Sequence, residues 1–238
     1  MSAVRVRASA TWTAERGAPR AELLPLASRR RCSLGTRMVA EVTADLVSAG
    51  LPIATAAIVH GTAFGEIVTT AALLDMMNDG SGELSPLRFA GSVHNTAPGQ
   101  LAIALGLGGQ STTVSAGPHT FAAAWIEAVA LVATGTDDVL LVVADEPMPT
   151  TIRPHHDGFA AALWLSRGGE GPGVARWLGT IRDAPASPRV PAFLHDHPLR
   201  FAWSMIEAVR TASQTATEVC VRIGPDDARG RAPVLALA

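Results

Sequence analysis

Four groups of side chains in this sequence are of types that do chemistry. Ser115, Gly117, Pro118 and His119 lie where STTVSA gives way to a long alanine-rich segment. A nucleophile at such a strand-to-helix junction gains from helix-end amides and the positive end of the dipole. Ser115 and His119 are only weak candidates, because no base or acid partner follows at motif spacing and the GxSxG elbow is missing. His155 with His156, and His195 with His197, are of metal-ligand type. Adjacent histidines diverge on an extended backbone and no third ligand follows at zinc spacing, so no metal is expected. Asp137 and Asp138 stand at one end of a strand-like run and Asp145 and Glu146 at the other. At ~3.3 Å per residue the pairs lie roughly 20 Å or more apart, too far for the ~5–9 Å of a glycosidase pair. Structural or capping roles are expected for them. GLGGQS (106–111) lacks the Walker lysine and the GxGxxG pattern, so a tight turn is expected there and no cofactor.

These residues need elements to position them. The segment 32–50 repeats apolar Met38, Val42, Leu46 and Ala49 at helical spacing and stops at Gly50. The run 53–61 is apolar or β-branched, as in a strand buried on both faces, 137–146 is the next buried strand, and 111–116 and 159–167 are further strands. Helices are expected over 66–80, about 97–106 and 119–135, and residues 84–89 as a proline-constrained loop. Residues 4–12 fit an edge strand. After a proline-rich stretch come a strand over 173–181, a helix over 199–212 and two short strands. Strand and helix in alternation argue for an α/β fold with a mostly parallel sheet and helical crossovers.

Composition narrows the function. Of 238 residues, 48% are hydrophobic and 17% charged, enough for a large core, and the low charge hints at surface covered by a partner. A formal charge of −2 gives no global basic character for nucleic acid, and the ASRRRC cluster (27–32) is read as a solvated or interface patch. No apolar run reaches a membrane span, and no signal peptide is apparent. Cys32 and Cys220 lack metal spacing and are expected as free thiols, which fits a cytoplasmic protein.

Four stretches resemble the β-ketoacyl synthase superfamily, with its thiolase-like fold. They are FGE (64–66), LSPLRFAGSVHNTAPGQLAIALGL (84–107), STTVSAGPHTFAAAWIEAVALVATGTDDVLLVVADE (111–146) and DGFAAALWLS (157–166). The nearest likeness is to the short chain length factor branch. The resemblance is strongest over 54–166 and implies one domain over 1–238, with a reduced second half over 167–238. In active members the strand-to-helix junction carries a cysteine; here that place falls at Pro118, or at Gly117 with one gap, and neither attacks a thioester. The catalytic histidines of the family have no counterpart that aligns.

The resemblance therefore implies a scaffold without the chemistry, since condensation needs a thiolate to hold the acyl group. It implies no independent activity and no cofactor. The implied partners are a catalytic ketosynthase subunit in a hetero- or homodimer and, through that complex, an acyl carrier protein. The setting would be polyketide or fatty-acid-like synthesis, of which aryl polyene assembly is one form. Phe64, Met76, Met77, Phe89, His94, Asn95, Phe121 and Trp125 are candidates for an interface or acyl tunnel, with plain core as the alternative for the apolar ones. An acyl-thioester hydrolase or acyltransferase using a non-cysteine residue, and a purely structural scaffold, stay open.

Overall fold

Two strands explain the layering. In the computed structural model, which describes residues 4–80, 85–152, 155–168, 174–183, 189–215 and 217–237, β4 (Asp138–Asp145) and β5 (Phe159–Arg167) are apolar on both faces. Val139, Leu141 and Val143 of β4, with Ala161, Leu163 and Leu165 of β5, point into one core. Leu140, Val142 and Ala144, with Ala160 and Ala162, point into the other. A period of two that is apolar on both phases needs helices on both sides of the sheet.

Those helices are α2 (Leu34–Ser48) and α5 (Thr96–Leu105) on one face, and α6 (Thr120–Thr134) and α7 (Arg200–Thr215) on the other. Ser33 starts α2 by accepting the Thr36 N–H at 2.9 Å, and the buried side of α2 includes Met38, Val42 and Leu46. Gly106 ends α5 at φ 65°, the left-handed geometry that costs glycine nothing. The other helices are α1 (Leu26–Arg29), α3 (Ile67–Asp79) and α4 (Pro86–Ala90).

The remaining strands are β1 (Val4–Thr13), β2 (Ala57–Gly61), β3 (Ser111–Val114), β6 (Val174–Ile181), β7 (Val219–Arg222) and β8 (Ala232–Leu237). All eight form one sheet in the order β3-β2-β4-β5-β1-β6-β8-β7. β3, β2 and β4 run parallel, joined by helical crossovers as expected. From β5 outward every pairing is antiparallel, so the sheet as a whole is mixed rather than mostly parallel. The residues after β5 add three strands and α7 to the same sheet.

Two sequence expectations change. β1 lies inside the sheet between β5 and β6 and is not an edge. Its register shifts between Val6 and Ala8, so Val4 and Val6 face the α6 core while Ala8, Ala10 and Trp12 face the α2 core. That break hides its two-sided burial from a reading of the period. The proline loop is a short helix: Pro86 occupies its first turn, where its missing N–H is no loss, and Ser85 Oγ accepts the Arg88 N–H at 3.4 Å. Leu84 lies outside the described residues.

Candidate functional site

β3 ends at Val114, a 3-10 turn spans Gly117–His119, and α6 begins at Thr120. Gly117 sits at φ 53°, a conformation that favours glycine. Ser115, Pro118 and His119 are exposed and Thr120 is buried. Ser115 Oγ donates to the Ala63 carbonyl at 3.3 Å, so its proton goes to backbone and not to a histidine. Thr120 Oγ1 accepts the Ala116 N–H at 3.0 Å. Both hydroxyls are committed to holding the turn. No thiol is present at the junction: Cys32 and Cys220 are free and lie elsewhere.

Beside the junction, the turn from β2 to α3 is fastened from below. Asp145, 1% exposed, accepts the Thr62 hydroxyl at 2.6 Å and the Ala63 and Phe64 N–H groups at 3.0 and 3.1 Å. Thr62 Oγ1 in turn accepts the Gly65 N–H at 2.8 Å. Burial pushes the Asp145 carboxyl up to about 6 against the pull of these donors. The expected capping role of this acid is thus visible atom by atom. Asp138, at the other end of β4, accepts the Trp164 indole N–H at 2.7 Å.

The structure also brings together residues that sequence spacing keeps apart. His156 and His197 have ring centroids 4.3 Å apart, and both are buried. Phe64 stacks on His156 at 5.5 Å, and Phe159 meets His197 edge-on at 5.6 Å. His156 Nδ1 lies 3.0 Å from the Asp157 carbonyl, which only accepts, so its proton is on Nδ1. His197 Nδ1 accepts the Leu199 N–H at 3.0 Å, which puts its proton on Nε2. Burial lowers both, His197 to about 3, so the pair is neutral at physiological pH. Their doublet partners His155 and His195 are exposed. Among the described residues no group of three or more His, Cys, Asp or Glu could hold a metal.

A second constellation is Glu66 with Glu146, 4% and 3% exposed. Burial pushes Glu66 up to about 7, the Ser33 and Thr36 hydroxyls pulling it back and the Glu146 charge adding to the rise. Burial also raises Glu146, while N–H groups of Gly35, Val68 and Leu34, at the starts of α2 and α3, pull it down. The long stretch of chain between these acids gives no signal of the pairing.

The interface and tunnel candidates divide. Phe121 and Trp125 are 1% and 2% exposed and pack on each other in the core, where they serve stability and not a surface. Phe64 and Met76 are half-buried. Met77 and Phe89 are each 62% exposed, and His94 and Asn95 are exposed, with the His94 ring closing over Gly65. Among the described residues the exposed large apolar side chains other than Leu26 all fall between Val68 and Ile126 in the sequence, on α3, α4, the α4–α5 link, α5 and α6.

A family model described as beta-ketoacyl synthase, N-terminal domain, matches residues 4–220. No curated protein matches the chain. A solved structure of a ketosynthase (ApeO) in complex with its chain length factor (ApeC) from Xenorhabdus doucetiae is similar at 29% identity, with a TM-score of 0.56, over 66% of this chain and 66% of the matched one. The match thus spans just under two thirds of that relative. The ishigamide ketosynthase/chain length factor is similar at 16% identity, covering 95% of this chain and 84% of the other, with a TM-score of 0.62. A type II PKS acyl-carrier protein in complex with its ketosynthase bound to the hexaketide (AntDE:AntF) is similar at 12% identity over 100% and 99% of the two chains, with a TM-score of 0.70. The last two likenesses carry the thiolase-like ketosynthase fold alone. No helix among the described residues is long and apolar enough to cross a membrane.

Proposed function

We propose that this chain, which belongs to the beta-ketoacyl synthase family, is a non-catalytic subunit of the chain length factor type that pairs with an active ketosynthase and shapes the space for the growing acyl chain. The observation that carries the reading is the junction itself. Pro118, or Gly117 with one gap, stands where a thiolate would be needed, and the neighbouring Ser115 and Thr120 hydroxyls are spent on the turn. Without a nucleophile there is no covalent acyl intermediate. The neutral, buried His156 and His197 pair packs between Phe64 and Phe159 and supplies no substitute.

Partnership is supported by the surface beside that junction. Among the described residues β3 is an edge strand whose outer side is unpaired, and unprotected edges are uncommon in proteins that act alone. Exposed Leu74 and Met77 of α3, Phe89 of α4 and Ile103 of α5 concentrate apolar surface on successive helices, which fits burial against another subunit. Product class follows the same reading: a polyketide or fatty-acid-like chain, of which an aryl polyene is one form.

The test is co-expression with a catalytic ketosynthase from the same gene neighbourhood, purification through a tag on one subunit, and assay with malonyl-loaded carrier protein. A stoichiometric complex whose product length depends on this chain is expected. Condensing activity of the isolated chain, or a ketosynthase indifferent to it, overturns the reading.

A further inference from the structure

A cleft of about 580 Å³ opens between the α1–α2 link, α3, α4 and α5. That is the volume of an ordinary small-molecule site. Its walls carry Val68, Ala72 and Leu87, and Arg31 and Arg88 also line it. Both arginines are exposed, and neither has an ion pair among the described residues. Two of its lining residues keep an unpaired buried atom. Glu66, 4% exposed, uses Oε1 to accept the Thr36 hydroxyl at 3.0 Å, while its Oε2, like Oε1 of the neighbouring Glu146, is buried with no hydrogen-bond partner among the described residues. Thr96 Oγ1 is also buried without a partner. Native interiors leave few polar atoms unpaired, and those that exist call for an explanation. No aromatic side chain lines the cleft among the described residues, so no nucleobase stacks there.

We propose that this cleft binds a small organic anion, a carboxylate or a phosphate ester, that carries a hydroxyl group on a short branched-alkyl body. Arg31 and Arg88 hold the anion, Val68, Ala72 and Leu87 take the alkyl body, and Glu66 with Thr96 pairs the hydroxyl. A two-arginine grip suits both anions through charge-assisted hydrogen bonds. The site belongs to the isolated chain and does not rest on the ketosynthase partnership.

Cys32 lines the same cleft and reports on its occupancy. With Cys220→Ser it is the only thiol, and its alkylation by iodoacetamide is followed by intact mass. The probes are 2-hydroxy-4-methylpentanoate, 4-methylpentanoate without the hydroxyl, 4-methylpentane-1,2-diol without the charge, and 3-methylbutyl phosphate. The hydroxy acid slows alkylation, and the diol does not. The carboxylate lacking the hydroxyl needs a higher concentration, and this difference vanishes in Thr96→Val. Arg31→Ala with Arg88→Ala weakens protection about tenfold or more, at an unchanged melting temperature because both side chains are exposed. The better protector of the carboxylate and phosphate pair identifies the anion. Protection by the diol equal to that by the hydroxy acid, no protection by either anion, or unchanged protection in the double variant overturns the proposal.

Discussion

Replacing Glu66 by Gln changes how stability depends on pH and leaves the fold in place. Burial raises this carboxyl from its ordinary 4.5 to about 7. Between those values the folded chain holds a proton that the unfolded chain has released. The stability tied to Glu66 is therefore fully present below pH 4.5 and is lost as pH rises through 7. At about 1.4 kcal/mol per pH unit for one proton, the whole loss is about 3 kcal/mol. Asp145, raised by burial to about 6, has the same sign. His60 and His197 have the opposite one: burial lowers them from 6.5 to about 4 and about 3, so the unfolded chain binds their protons first and stability is lost as pH falls below 6.5. These two carboxyls and two imidazoles thus offset each other between about pH 4.5 and 6. The Glu66→Gln substitution removes one carboxyl from that balance. Relative to wild type, the variant's stability climbs with pH by about 1.4 kcal/mol per unit and gains about 3 kcal/mol between pH 4.5 and 7. Urea unfolding at about pH 5, 6, 7 and 8 reads this from the midpoints at constant m. Parallel profiles for the two proteins would refute the placement of that proton.

Three further outcomes follow from the geometry. In Gly61→Ala, the added Cβ would stand 2.8 Å from Val143 Cγ1 and 3.2 Å from Ala124 Cβ, an overpacking that costs about 2 kcal/mol and lowers the melting temperature by roughly 4–8 °C. Asp145→Asn loses charge-assisted acceptance from Thr62, Ala63 and Phe64 and destabilises by about 3 kcal/mol in urea unfolding; a midpoint equal to wild type contradicts the capping role. In the ketosynthase complex, Pro118→Ala leaves product and rate unchanged, whereas Met77→Glu with Phe89→Glu keeps the isolated chain's stability within about 0.5 kcal/mol and abolishes co-purification.

What is legible in the sequence is local. The helical repeat of Met38, Val42 and Leu46, and the two-sided apolar runs at β4 and β5, can be read because each side chain's burial follows from its own periodicity. β1 escapes that reading because its register shift at Arg7 moves Ala8 to the face opposite Val6, which breaks the period that marks burial. Residues 86–90 look like loop because proline disfavours helix before itself, a rule that applies to Ser85, while Pro86 itself starts the helix. The pairings of His156 with His197 and of Glu66 with Glu146 are out of reach for a different reason. Each joins chain segments that meet only through sheet order, and neither spacing nor residue type encodes that order.

On the proposed reading, the distribution of hydrogen bonds explains how such a chain keeps a ketosynthase fold without a nucleophile at the junction. The fastening of the β2–α3 turn runs from Asp145 to Thr62, Ala63 and Phe64, and from Thr62 on to Gly65. The junction is closed separately, by Thr120 on Ala116 and by Ser115 on Ala63. None of these bonds passes through the side chain at position 118, which is exposed. On the proposed reading, a pyrrolidine ring in place of a thiol there removes none of these hydrogen bonds. Proline at that place also fixes φ and gives up an N–H in the first turn of the 3-10 segment, where helices tolerate its loss. On the same reading, loss of chemistry at position 118 costs the fold little. On that reasoning Pro118→Cys restores a thiol and not condensation. Alkylation of the introduced thiol is expected, while malonyl-dependent elongation by the isolated chain stays absent, because the buried neutral pair of His156 and His197 presents no paired donors to a bound thioester.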